Sequence, residues 1–68
     1  MKTTDNFNKF DSIVNNYVNG NIHDYMYDLN KLNKTNLIRF TLFLSFRCYR
    51  FEVCVNEHNN LKLREISN

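Results

Sequence analysis

A chain of 68 residues buries only about 60% of its unfolded surface on folding, which leaves little room for a deep active-site cleft beside a core. Its 43% hydrophobic content and formal charge of +2 exclude a long disordered tail. The most apolar run, Leu37–Phe46, contains Arg39 and is about half the roughly 20 residues that span a bilayer, so no membrane segment is expected.

The first predicted element is a helix over Asp5–Asn19. Phe7, Phe10, Val14, Tyr17 and Val18 recur at spacings of three and four, with Ile13 at the edge of the stripe and Asn residues opposite. Thr4 or Asp5 can cap it, and Asn19-Gly20 ends it, because Gly accepts the left-handed conformation beyond a helix. A second helix follows to about Leu32, with Asn21 as cap, Asp24 in the capping-box position, and Ile22, Tyr25, Met26, Leu29 and Leu32 on one face. The two form an antiparallel hairpin about Gly20.

The segment 35–46 admits two readings. Asn33-Lys34-Thr35-Asn36 resembles a helix start. Ile38, Phe40, Leu42, Leu44, Phe46 and Cys48 nevertheless alternate with Arg39, Thr41, Ser45 and Arg47 at the strand period, and a helix here is apolar nearly all round. Beyond Cys48 the phase changes, which a one-residue bulge would explain if strand ran back to Ile38. Tyr49, Phe51, Val53 and Val55 then alternate with polar residues, Glu57-His58-Asn59-Asn60 makes a turn, and Leu61 and Leu63 alternate again. This predicts a β-hairpin of 49–56 with 61–66. The expected fold class is a single α+β domain with an N-terminal helical hairpin and a C-terminal β-hairpin; the alternative is a small all-α bundle.

The chemistry-bearing residues are sparse. Cys48, Cys54, His23 and His58 do not match the spacing of a compact zinc site, and the two thiols are expected to be reduced and buried or half-buried. Neither thiol has a base and an orienting third group in evident reach, and Asp24 and Asp28 read as ordinary acids on a solvated helix side. No catalytic residue, metal or cofactor is therefore expected. Met1-Lys2-Thr3-Thr4-Asp5 lacks the apolar core of a secretory signal, so the expected location is the cytoplasm.

Two surfaces are candidates for binding. His23, Tyr27 and Asn30 lie opposite the apolar stripe of the second helix and form one outward patch suited to a protein partner. Arg47, Arg50, Lys62 and Arg64 form a basic sheet face that makes nucleic acid the alternative partner. A core this small, without disulfide or metal, also predicts a homodimer or an obligate complex.

Thirty-two residues are Asn, Lys, Ile, Phe or Tyr, with AT-rich codons; the single Gly is the only residue drawn from Ala, Gly and Pro. This composition points to a strongly AT-rich genome. Tyr17-Val18-Asn19-Gly20-Asn21-Ile22-His23-Asp24, followed by Leu29-Asn30-Lys31-Leu32-Asn33-Lys34, resembles an element of short accessory proteins of tailed phages over roughly residues 7–38. The resemblance implies a phage or prophage accessory protein that binds and blocks a host protein in the host cytoplasm, including as a counter-defence (anti-CRISPR-like) inhibitor. It carries over no functional residue.

Overall fold

Three helices precede one β-hairpin in the computed structural model, which describes residues 2–66, with side chains described from Phe7 onward. The elements are α1 (Lys2–Val18), α2 (Ile22–Asn30), α3 (Lys34–Phe46), β1 (Phe51–Val55) and β2 (Leu61–Glu65). The architecture is α+β, with a helical hairpin at the start and a β-hairpin at the end. α1 begins at Lys2, upstream of the expected caps Thr4 and Asp5, whose side chains lie outside the described residues.

The helix ends follow one rule used twice. At the end of α1, Gly20 takes φ +82°; its N–H donates to the Tyr17 carbonyl at 3.2 Å and that of Asn21 to Asn16 at 2.8 Å. This pair of bonds closes the open carbonyls of a helix around a left-handed residue. At the end of α3 the same pattern recurs around Cys48 at φ +60°, with Cys48 N–H to Ser45 at 3.0 Å and Tyr49 N–H to Leu44 at 2.9 Å. The phase change at Cys48 is thus the junction of a helix with a strand, and no bulge is involved. Cys48 is exposed and Cys54 half-buried, and both thiols are free; the expectation of burial fails for Cys48 because the left-handed turn points it outward.

The ambiguous third segment is helix. Asn33 caps it, its side chain accepting the Asn36 N–H at 2.8 Å. Phe40, Phe43 and Leu44 are buried on one side, with Leu37 packed beside them. As a strand the segment would need a pairing neighbour, and the only sheet among the described residues is the antiparallel pair β1–β2. Asn21, in contrast, makes no side-chain cap on α2; its amide donates to the Asn16 side chain at 3.2 Å and braces the Gly20 turn.

Aromatic rings join the layers. Phe10 meets Phe40 edge-on and Phe43 at a tilt, both with centroids 5.4 Å apart. Tyr17 contacts Tyr25 at 5.1 Å and Phe51 at 4.9 Å, which carries the core to the sheet. Ile13, Val14, Leu29 and Leu63 complete it. Val18 and Ile22, expected in the core, are exposed, because the helices part at the Gly20 turn. Met26 is only half-buried.

The hairpin pairs Phe51 with Glu65, Val53 with Leu63 and Val55 with Leu61 on the inner side, and Glu52 with Arg64 and Cys54 with Lys62 on the outer side. Its turn is organised by Asn56, whose side-chain oxygen accepts the N–H groups of His58 and Asn60, both at 2.9 Å. Asn59 supplies the left-handed turn residue at φ +66°, a conformation Asn tolerates.

Leu29→Ala removes a fully buried side chain and is expected to cost about 2–5 kcal/mol, read by urea unfolding. Cys48→Gly is expected to stabilise. The left-handed residue costs an L-amino acid roughly 1–2 kcal/mol, and glycine's extra unfolded freedom returns about 0.5–1 kcal/mol of that gain. The net of about 0.5 kcal/mol raises Tm by about 2–4 °C in a domain of this size, whereas Cys48→Val lowers it.

Candidate functional site

α3 reads K-T-N-L-I-R-F-T-L-F-L-S-F, with apolar side chains on every side. A helix in a single-layer helical cover can bury only one stripe. The core takes Phe40, Phe43 and Leu44. The opposite stripe, Ile38, Leu42 and Phe46 at i, i+4 and i+8, is 55%, 63% and 85% exposed. Beside it, Phe7 of α1 is 43% exposed and lies 5.8 Å from the Phe43 ring.

Between α1 and α3 this surface dips into a groove of about 730 Å³ lined by Phe7, Phe10, Leu42, Phe43 and Phe46, with Arg39 and Arg47 at its rim. Arg47 lies over the Phe43 ring at 4.8 Å and reaches Asp11 of α1 at 3.5 Å. Arg39 makes no ion pair among the described residues. α3 carries no carboxylate of its own. The patch is therefore apolar at the centre and cationic at the edge, the arrangement of a protein contact.

The two surfaces read from the sequence fare differently. His23 and Tyr27 are exposed on α2, Tyr27 by 64%, with the Lys31 ammonium 5.0 Å above its ring. Asn30 is engaged elsewhere. Its side-chain amide donates to the Met26 carbonyl at 2.7 Å and to the Leu61 carbonyl at 3.0 Å, and its oxygen accepts the Leu61 N–H at 2.9 Å. It is a strap from α2 to the start of β2.

The basic group is also divided. Arg50, Lys62 and Arg64 lie on the outer side of the hairpin by strand alternation, but Arg64 is ion-paired to Glu52. Arg47 sits at the end of α3, away from the sheet, against Asp11.

Among the described residues no polar side chain is buried, and no three His, Cys, Asp or Glu side chains gather where a metal ion could be held. No helix among them is long and apolar enough to cross a membrane. Burial raises the Tyr17 hydroxyl above its ordinary value, with Glu65, Tyr25 and Cys54 adding to it. That ring therefore stays neutral and serves packing.

No family model, curated protein or solved structure matches the chain. The sequence signal for the α3 patch was present all the same. The residues that alternate at the strand period also fall, at 100° per residue, into two opposed stripes, and one core can cover only one of them.

Asn30→Ala is expected to cost about 1–3 kcal/mol, since two backbone bonds to Leu61 are lost at about 0.5–1.5 kcal/mol each. It should also expose the Leu61 amide to hydrogen exchange. Tyr27→Ala is expected to leave Tm within about 4 °C, because exposed substitutions usually stay within about 0.5 kcal/mol.

Proposed function

We propose that this protein is a small, non-catalytic binder that occupies a surface of another protein through the outward stripe of α3. The observation that carries the proposal is the continuous exposure of Ile38, Leu42 and Phe46 along one helix face, joined by Phe7. Single exposed apolar side chains are ordinary, but a contiguous rimmed patch marks an interaction site.

The charge around the patch selects the kind of partner. Arg39 stands at the rim without an ion pair among the described residues and Lys34 begins the helix, with no acid on α3 to offset them, while Arg47 is held by Asp11 of α1. A second α3 laid against the first would bring like charges together. An amphipathic helix whose apolar ridge is flanked by Asp or Glu fits the groove and the rim together. The resemblance of residues 7–38 to phage accessory proteins supports a host protein as the target and blockade by occupancy as the action, in the host cytoplasm.

Two synthetic helical peptides with the same leucine ridge, one flanked by Glu and the other by Lys, test the reading. The Glu peptide is expected to shift the NMR resonances of Ile38, Leu42, Phe46 and Phe7, and the Lys peptide to bind at least tenfold more weakly. Leu42→Glu is expected to weaken the Glu peptide at least tenfold while leaving Tm nearly unchanged. Equal binding of both peptides, or shifts confined to His23 and Tyr27, would overturn it.

A further inference from the structure

The β-hairpin has two edges, and the fold treats them differently. The register places Arg50 opposite Ile66 and Asn56 opposite Asn60, and the N–H groups of Ile66 and Asn56 each donate across the ladder at 2.8 Å. In an antiparallel pair such bonded positions recur every second residue. The backbones of Glu52 and Cys54 therefore face β2, and those of Phe51, Val53 and Val55 face outward. On β2 the outward residues are Leu61, Leu63 and Glu65.

The β2 edge is guarded at its start, where the Asn30 amide holds both the N–H and the C=O of Leu61 as a neighbouring strand would; the outward groups of Leu63 and Glu65 make no hydrogen bond among the described residues. On β1, none of the outward N–H and C=O groups of Phe51, Val53 and Val55 makes a hydrogen bond among the described residues. Alongside this edge runs a groove of about 490 Å³. It is lined by Thr41 and Leu44 of α3, by Phe51 and Val53 from the inner side of β1, and by Glu52 from its outer side. A groove that touches both sides of a strand follows the strand's edge.

We propose that β1 pairs, antiparallel and about a twofold axis at Val53, with β1 of a second copy of this chain, giving a continuous four-stranded sheet. In this register Val53 faces its own counterpart and Phe51 faces the second copy's Val55. Every outward N–H and C=O of the three residues then finds a partner. Val55, which is exposed in the single chain, gains an aromatic neighbour.

Side-chain charge favours the same register. Glu52 comes opposite the second copy's Cys54 and Arg50 opposite its Asn56. Shifting the axis to Glu52 would set two carboxylates face to face, which is destabilising. Shifting it to Cys54 would leave Phe51 unpaired. A C2 arrangement asks only that one patch complement itself, and this strand does so only when centred on Val53. The pairing uses the β1 edge and does not depend on the outward stripe of α3.

The full chain under reducing conditions, followed by light scattering across a concentration series, is expected to reach twice the mass of a single chain. Val55→Pro removes an outward donor without touching the core or the β1–β2 ladder, and is expected to hold the protein at single-chain mass with the hairpin intact by NMR.

Cross-linking reads the register directly. Non-bonded antiparallel pairs bring Cα atoms to about 4.5 Å, within disulfide reach. Glu52→Cys in a Cys48→Ser background is therefore expected to oxidise to a covalent dimer. Mass spectrometry should find its bond between position 52 of one copy and Cys54 of the other, and the same oxidation carried out in denaturant should not form it. A single-chain mass at every concentration would overturn the proposal, as would a dimer that Val55→Pro leaves intact. A dimer broken by Leu42→Glu and spared by Val55→Pro would place the self-contact on α3, and would count against both this proposal and the partner assigned to that helix.

Discussion

The edge-on contact of Phe10 with Phe40, 5.4 Å between ring centroids, ties α1 to α3, and most of the remaining structure hangs from it. Phe40 is fully buried, and with it in the core Phe43 and Leu44 must follow on the same helix face. Leu44 then accepts the Tyr49 N–H, which sets the exit of the chain from α3 and the start of β1. Phe51 comes to rest against Tyr17 and Tyr49, so the hairpin is positioned by the same aromatic group that joins the helices. In so small a domain each buried ring carries a large share of the apolar area.

The cost of that arrangement is an outward stripe. α3 is too apolar for the core available to it, and burying Phe40, Phe43 and Leu44 leaves Ile38, Leu42 and Phe46 on the far side. An isolated soluble domain gains nothing from an apolar ridge in water. The ridge becomes favourable when a second surface covers it, and the cationic rim restricts which surfaces can. Fold and proposed action thus share one cause, a helix with two apolar faces and one core.

A similar asymmetry governs the sheet. A two-stranded hairpin is marginal without further support, and here the support is uneven. Helix packing covers its inner side, Asn30 closes part of the β2 edge, and β1 is left with unpaired backbone groups beside a groove. Asn30 illustrates how a residue's surroundings decide its work. On a helical wheel it belongs to the outward patch with His23 and Tyr27, yet its amide is matched to the backbone of Leu61, thirty-one residues away.

Much of the fold was legible in the residues alone. Helical periodicity located α1 and α2, Asn19-Gly20 located the turn between them, and the alternation about the Asn56–Asn60 turn located the hairpin. These are local signals, set by backbone sterics and by the pattern of apolar side chains within one element. The state of 35–46 was not local, since its pattern suits a helix and a strand alike; it was decided by the Phe10–Phe40 packing and by the lack of a third strand among the described residues to pair with. Tertiary structure alone also determined that Val18 and Ile22 stand outside the core, that Cys48 fills a turn position glycine would prefer, and that Arg47 and Arg64 are occupied by Asp11 and Glu52. The outward stripe of α3 lies between the two cases. Its residues could be counted in the sequence, but which of two apolar faces meets water depends on what the rest of the chain brings to the other.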